Sequence, residues 1–462
     1  MVFSSPLFLF AYLPLVWLIN RFLPQRWRNA FLCMASLLFY AWGEPVYVLL
    51  MIASVFINYL FSLRLDKGSG RRWKVGLAVV VNLAILAVFK YTDFFLSSIN
   101  HILELSMPLP NIRLPIGISF FTFQAMSYTI DVYRGVTKPQ TSLGKLLLYV
   151  SFFPQLIAGP IVKYHDVAAM IDARSIQPKE TAEGIRRFIL GLSKKLLIAN
   201  TLGQMVDAVY GRMPASLSAP LAWAVAIGYT LQLYYDFSGY SDMAIGLGKM
   251  FGFSFKENFD HPLVSKSIRD FWRRWHMSLS TWFREYVYIP LGGNRKGAFR
   301  TGVNRIIVFF LTGLWHGAQW TFVVWGLLHG FFLLLEQYRM LPIEKINRKL
   351  PLLGHLYTVL VVVFSFVLFR AESFHQAFFI WKSMLMGGFR LGLEGKLFTP
   401  LLYGAFFMGI IGCYPWIQRH MSGKKRHLAL EWGSYGGSML LLLLCMLTLA
   451  ASTHNPFIYF RF

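Results

Sequence analysis

The sequence predicts an all-α, polytopic integral membrane protein folded as a single domain over residues 1–462. Composition is the first reason: 56% of the 462 residues are hydrophobic and 14% are charged, against roughly 25% charged in an ordinary soluble domain. The second is patterning, because the apolar residues fall in blocks broken by short basic connections. A third is the absence of any repeat period, low-complexity linker or cysteine framework that would divide the chain otherwise. Cys33, Cys413 and Cys445 lie in or beside apolar blocks, where a free thiol packs as a small hydrophobe. No metal site is expected.

Taken in order, the candidate spans are 6–20, 30–42, 47–63, 75–89, 114–130, 146–158, 188–202, 217–235, 303–314, 320–335, 357–369, 397–416 and 435–450. An upright crossing takes about 20 residues, so several shorter blocks must be re-entrant, buried or extended by their flanks. About eleven transmembrane helices are expected, with re-entrant and interfacial helices besides. Residues 1–20 lack a basic leader and a small-residue cleavage site and so read as a first span.

The net charge of +24 is a topology signal and gives no sign of nucleic-acid binding. Arg and Lys concentrate in 21–28, 64–74, 339–349 and 419–426, each a connection between apolar blocks, as the positive-inside rule expects of cytoplasmic loops. That assignment places both termini on the outer face of the membrane, with lipid as the surrounding partner. No basic patch belongs to a recognisable nucleic-acid fold.

Polar groups inside apolar blocks carry the chemistry, because an ionisable side chain at membrane depth is costly unless it faces protein or water. His316 lies between the blocks 303–314 and 320–335. A helix of about twelve residues rises roughly 18 Å, short of the roughly 30 Å hydrocarbon core, so His316 is expected at mid-depth, near the tip of a hairpin. Gly313 and Gly317 allow close backbone approach around it. His276 lies in the longest non-spanning section, 251–300, where Phe271, Trp272, Trp275, Trp282 and Phe283 alternate with Arg269, Arg273, Arg274 and Arg284. Such alternation suits an amphipathic segment at the headgroup boundary. The turn Gly292-Gly293-Asn294 followed by Arg295 and Lys296 could hold an anionic phosphate at the cytoplasmic face; Asn294, Arg295 and Lys296 are the donor-binding candidates. Asp236, Ser238, Tyr240, Ser241 and Asp242 form a polar cluster after the block 217–235, expected to pair internally or with Arg269 and Arg273. Gln155, Gly159 and Pro160 are expected to break a helix, and His329 to be structural or funnel-lining rather than catalytic.

The runs Arg269-Asp-Phe-Trp-Arg-Arg-Trp-His276, Tyr288-Ile-Pro-Leu-Gly-Gly293, Leu314-Trp-His-Gly317 and Trp325-Gly-Leu-Leu-His-Gly330 together resemble the membrane-bound O-acyltransferase (MBOAT) family. Gln155-Leu-Ile-Ala-Gly-Pro-Ile-Val162 and Tyr234-Tyr-Asp-Phe-Ser-Gly-Tyr-Ser-Asp-Met243 are similar to its bacterial branch of alginate O-acetylation and teichoic-acid D-alanylation membrane proteins. The matching stretches run over about 114–330, with a further match in the tail 457–462.

The resemblance implies a funnel with His316 at its narrowest point, entered by a cytoplasmic acyl thioester, acetyl-CoA or a related donor, and by an acceptor from the outer face. His316 would be the general base, since imidazole titrates near pH 7. His276 would orient the donor or stabilise the oxyanion. The tail Phe457-Ile-Tyr-Phe-Arg-Phe462 resembles the aromatic-tyrosine motif of polymer-acylation systems, which makes the Tyr459 phenol an acyl acceptor that relays the group outward. The implied function is O-acetylation of an extracellular or cell-wall polysaccharide, completed by an outer-face acetyltransferase partner, with no permanently bound cofactor, and the implied location is a bacterial cytoplasmic membrane. Two other classes fit the hydropathy: a transporter or flippase for a polymer or lipid-linked sugar, and an acyltransferase acting on a lipid or a secreted protein.

Overall fold

A computed structural model describes residues 1–65, 70–157, 159–212, 216–388, 398–415 and 428–451. Among these residues the secondary structure is helical and no strand occurs. In chain order the helices are α1 (Leu13–Phe22), α2 (Gln25–Ala41), α3 (Tyr47–Leu65), α4 (Arg71–Leu103), α5 (Ile118–Arg134), α6 (Leu143–Ser151), α7 (Phe153–Leu156), α8 (Tyr164–Asp172), α9 (Pro178–Ser193), α10 (Asn200–Arg212), α11 (Ala219–Met250), α12 (Ile268–Arg274), α13 (Met277–Phe283), α14 (Gly297–His316), α15 (Trp320–Gln337), α16 (Ile343–Lys349), α17 (Pro351–Arg370), α18 (Phe374–Met386), α19 (Pro400–Gly412) and α20 (Leu428–Ala451). Short π-helical turns occupy Phe8–Tyr12, Lys194–Ala199 and Arg284–Tyr288.

Among the described residues, five segments are long and apolar enough to cross a bilayer: Tyr47–Leu65, Arg71–Leu103, Trp320–Gln337, Pro351–Arg370 and Trp432–Ala451. Phe8–Phe22 and Pro400–Gly412 are shorter apolar helices. The 33 residues of α4 rise about 50 Å, more than a hydrocarbon core, and the block read from sequence at 75–89 is only their apolar middle.

Two compact units make up the chain. Residues 1–188 and 241–256 form the first, residues 189–240 and 257–462 the second. The first unit is cored by aromatic rings, Phe3, Phe8, Phe39 and Phe153 among them, and by a buried polar knot. In that knot Asn58 and Asn82 exchange amide hydrogen bonds of 3.0 Å and the Thr129 hydroxyl donates to Asn58 Oδ1 at 2.8 Å. Paired amides of this kind hold apolar helices together where the lipid offers no driving force. Also here, α7 is a single turn; a Cβ on Gly159 would meet Gln155 Cα at 2.6 Å. The helix therefore breaks where Gln155, Gly159 and Pro160 predict.

The second unit is organised by the α14–α15 hairpin. Gly313 and Gly326 set its separation: a Cβ on Gly326 would strike the Phe309 carbonyl oxygen, and one on Gly313 the Phe322 carbonyl oxygen. Both helices therefore touch backbone to backbone, which only small residues permit. Glu336 at the end of α15 holds α12 against this hairpin. Its two carboxylate oxygens accept from the backbone N–H groups of Ile268 and Arg269 at 2.6 and 3.1 Å, while Ser267 Oγ accepts from Asp270 N at 3.0 Å. The orphan donors of a helix start are thus satisfied.

Three expectations change. Helix α14 has 20 residues, about 30 Å, because it starts at Gly297 rather than Val303, so the helix-length argument for a mid-depth His316 does not hold; the added residues include Arg300 and were hidden by their polarity. The aromatic run is no interfacial anchor: Phe271, Trp272, Trp275, Trp282 and Phe283 are all buried, packed inward by helices too short to lie on a surface. The polar cluster from Asp236 to Asp242 lies within the 32 residues of α11 instead of at a helix end. Replacing Gly326 with Val is expected to wedge the hairpin apart and cost about 3 kcal/mol or more, read as a lowered thermal midpoint of the detergent-solubilised protein.

Candidate active site

His316 is the last residue of α14 and is 2% exposed. Its Nδ1 lies 2.7 Å from the Thr312 carbonyl oxygen one turn back. A carbonyl can only accept, so Nδ1 carries the proton and Nε2 is the ring's basic atom. The ring is held edge-on by Trp315, Trp325 and Phe369, at centroid distances of 5.0, 4.9 and 5.4 Å.

His276 is fully buried, with its ring centroid 6.4 Å from that of His316. The two sequence-predicted histidines, forty positions apart, are therefore brought together. His276 caps α13 with φ of 44°, a left-handed conformation that costs a non-glycine residue energy and persists only where neighbours enforce it. Asn258 is the enforcing neighbour. Its backbone carbonyl accepts from Met277 N at 2.9 Å, and its side-chain Oδ1 accepts from Ser278 N at 3.1 Å and Ser278 Oγ at 2.8 Å. A backbone N–H can only donate, which fixes the Asn258 amide with its oxygen toward His276. Nδ1 of His276, 3.3 Å from that oxygen, is therefore the protonated nitrogen, and Nε2 holds the lone pair. That Nε2 is buried and has no hydrogen-bond partner among the described residues. Burial first, and the nearness of His316 second, hold the His276 imidazole well below its ordinary pKa, so it is neutral.

His329 is structural, as expected. The Trp272 indole N–H donates to its Nδ1 at 3.2 Å, its Nε2 meets Ser365 Oγ at 3.0 Å, and Ser365 Oγ donates to the Val362 carbonyl at 2.9 Å. Both ring nitrogens are engaged and the tautomer is fixed from outside.

Asp236 makes an ion pair with Lys195 at 2.7 Å, both side chains under 5% exposed, in place of the expected Arg269 or Arg273. Lys195 belongs to the π-helical turn that continues α9, a distortion that turns its ammonium toward α11. In the first unit Asp242 pairs with Arg187 Nη2 at 2.5 Å. The lysine pair at 194–195 inside the apolar block 188–202 was the sequence signal for this contact. Asn258 and Glu336 carried none, and Trp325 stood only as part of the run Trp325–Gly330.

Asn294, Arg295 and Lys296 are exposed on the turn before α14. The turn is shaped by left-handed Gly292, Gly293 and Gly297 and pinned by Asn304 Nδ2, which donates to the Gly293 carbonyl at 2.9 Å. Their charges face outward, apart from the histidine pair. Tyr459, the tail 457–462 and the basic stretch 419–426 lie outside the described residues.

This arrangement, a tautomer-locked imidazole beside a second neutral imidazole in an apolar enclosure on a multi-pass helical scaffold, suits proton transfer in group transfer from an activated donor. The family model of MBOAT, the membrane-bound O-acyltransferase family, matches residues 118–379. The chain is 39% identical to a probable alginate O-acetylase AlgI of Pseudomonas putida, over 100% of both chains. It is 33% identical to a peptidoglycan O-acetyltransferase of Helicobacter pylori over 100% of this chain and 98% of that one. A teichoic acid D-alanyltransferase of Bacillus subtilis is 30% identical over 56% of this chain and 70% of its own length. The chain belongs to the membrane-bound O-acyltransferase family and is an O-acyltransferase.

Breaking the buried ion pair leaves one charge uncompensated, so Lys195→Met alone is expected to cost about 3–5 kcal/mol. The double variant Lys195→Met, Asp236→Leu should recover most of that loss in thermal unfolding. Equal destabilisation of single and double variants would show that the pair is not the interaction that matters.

Proposed function

We propose that this protein moves an acetyl group from a cytoplasmic thioester, acetyl-CoA, to the outer face of the bacterial inner membrane for O-acetylation of an extracellular polysaccharide, alginate being the best-supported polymer. The full-length likeness to proteins named as alginate O-acetylases supports the substrate class, and likeness to a peptidoglycan O-acetyltransferase supports acetate on a sugar hydroxyl. The observation that carries the chemistry is the hydrogen bond from His316 Nδ1 to Thr312 O, which makes Nε2 the base. In this reading the chain forms an MBOAT-type funnel of about eleven transmembrane helices, with both termini outside.

The step balances as follows. An acceptor hydroxyl attacks the thioester carbonyl carbon while His316 Nε2 removes its proton. The carbonyl π pair moves onto oxygen, giving a tetrahedral intermediate. Collapse breaks the C–S bond, and the proton on His316 passes to the departing sulfur, leaving an ester, a thiol and a neutral imidazole. A thioester needs little activation beyond orientation and stabilisation of that oxygen. His276, neutral with its lone pair on Nε2, is an acceptor; it orients the bound donor by taking an N–H or O–H from it. Asn294, Arg295 and Lys296 would meet the donor's phosphates electrostatically. The first acceptor is the Tyr459 phenol, and an outer-face acetyltransferase then passes the group to the polymer.

His316→Ala in folded, purified protein should lower thioester-dependent acetyl transfer by about 10²-fold or more. Near-normal transfer would remove His316 from the chemistry. For the relay, intact-mass and peptide analysis after incubation with labelled acetyl-CoA should place one acetyl group on the peptide holding Tyr459. A Tyr459→Phe chain that still labels there would exclude that residue as the acceptor, and a wild-type chain that never labels while the polymer is still acetylated would exclude the relay.

A further inference from the structure

We infer that the indole N–H of Trp325 is the hydrogen-bond donor to the carbonyl oxygen of the bound acyl thioester. This rests on the acyl-transfer reading above and adds the partner that reading lacks, since a developing oxyanion needs a donor and His276 offers a lone pair.

Three observations carry it. Trp325 is 1% exposed, yet its Nε1 has no hydrogen-bond partner among the described residues. Buried indole N–H groups ordinarily find one, and other tryptophans of the same unit do. Trp223 donates to the Met384 carbonyl at 3.0 Å, Trp381 to the Phe364 carbonyl at 3.1 Å, and Trp272 to His329. Second, Trp325 packs directly on the base, 4.9 Å from the His316 ring and 4.8 Å from Phe369. Third, the imidazole on its other side, His329 at 5.1 Å, has both nitrogens engaged and cannot accept its proton.

An unmatched buried donor costs about 1–3 kcal/mol. A carbonyl oxygen arriving beside His316 supplies the missing acceptor, and the bond strengthens as negative charge gathers on that oxygen. Next to it His276 Nε2 is an acceptor without a donor. Beside His316, Trp325 Nε1 is thus a donor and His276 Nε2 an acceptor without a partner among the described residues. Trp325 exchanges no atoms; it stabilises the oxygen while the hydroxyl proton travels through His316 to sulfur.

The test replaces Trp325 in the full chain with 3-benzothienylalanine, which keeps the bicyclic shape and puts sulfur in place of N–H; Trp325→Phe is the second variant. The readout is release of free thiol from acetyl-CoA, which reports turnover whichever hydroxyl takes the acetyl group, and the infrared stretch of a bound 13C-carbonyl thioester. Expected are a fall in kcat of about 10²-fold with KM within about twofold, an unchanged thermal midpoint for the isostere, and loss of the low-frequency shift of the carbonyl band. An isostere with near wild-type kcat and a carbonyl band still shifted to low frequency would overturn the assignment. So would an isostere whose loss of turnover follows a lowered thermal midpoint, since that marks a packing role. If wild-type protein and the His316→Ala variant release thiol at the same rate, the acyl-transfer reading fails and the inference with it, which is distinguishable from failure at Trp325 alone.

Discussion

The hydrogen bond from His316 Nδ1 to the Thr312 carbonyl is the constraint on which the rest of the site depends. It is made in the last turn of α14, where the Thr312 carbonyl takes the imidazole N–H one turn ahead of it. That bond fixes the side of the ring that can take a proton. Nothing else about His316 could do this, because a neutral imidazole in an apolar enclosure has two tautomers and only one of them is a base at Nε2. The enclosing rings Trp315, Trp325 and Phe369 then prevent the imidazole from turning away.

The same logic orders the surrounding shell. His276 is held in a left-handed backbone conformation by Asn258, whose amide orientation is fixed in turn by Ser278 N. His329 is held by Trp272 and Ser365, and Trp272 by α12, whose start Glu336 caps. The charged pair Lys195–Asp236 is buried in the same unit without entering the histidine shell. His329 has both ring nitrogens engaged, whereas His276 Nε2 and Trp325 Nε1, like a number of buried polar atoms elsewhere in the chain, have no hydrogen-bond partner among the described residues. What sets these two apart is their place beside His316, one an acceptor and the other a donor.

Much of this was legible in the sequence, and the exceptions have physical causes. The apolar blocks located the long helices, since burial in lipid or protein demands long apolar runs, but missed the short α8, α12, α13, α16 and α18, and some ends were read short where a helix carries charge. Gly297–His316 begins with a turn that holds Arg300, and Ala219–Met250 runs through Asp236 and Asp242. A hydropathy window ends at a charge even when a partner such as Lys195 makes that charge tolerable. His316 and His276 stood out because an ionisable group amid apolar neighbours is costly. Asn258 and Trp325 did not, for a neutral amide in a loop and one tryptophan among fourteen look ordinary until their hydrogen-bond partners are counted. The division into two units left no trace either, because it cuts through α9 and α11 rather than a linker.

The chemistry of acyl transfer explains why such a site would leave those two atoms unmatched. A group that is fully satisfied in the resting protein must break a bond before it can help the transition state, and that cost offsets what it contributes. A donor held rigid by ring packing and lacking a partner has no such cost at the moment of reaction. Its burden falls instead on the folded state without substrate, which has to keep a polar atom dry. Two features let this scaffold bear that burden: the close glycine contacts that clamp α14 to α15, and the dense ring contacts among Trp272, Trp325, Phe366 and Phe369. The stability needed to hold an unmatched atom beside His316 therefore comes from the packing around it, and the hairpin glycines, which let α14 and α15 meet backbone to backbone, are part of that packing.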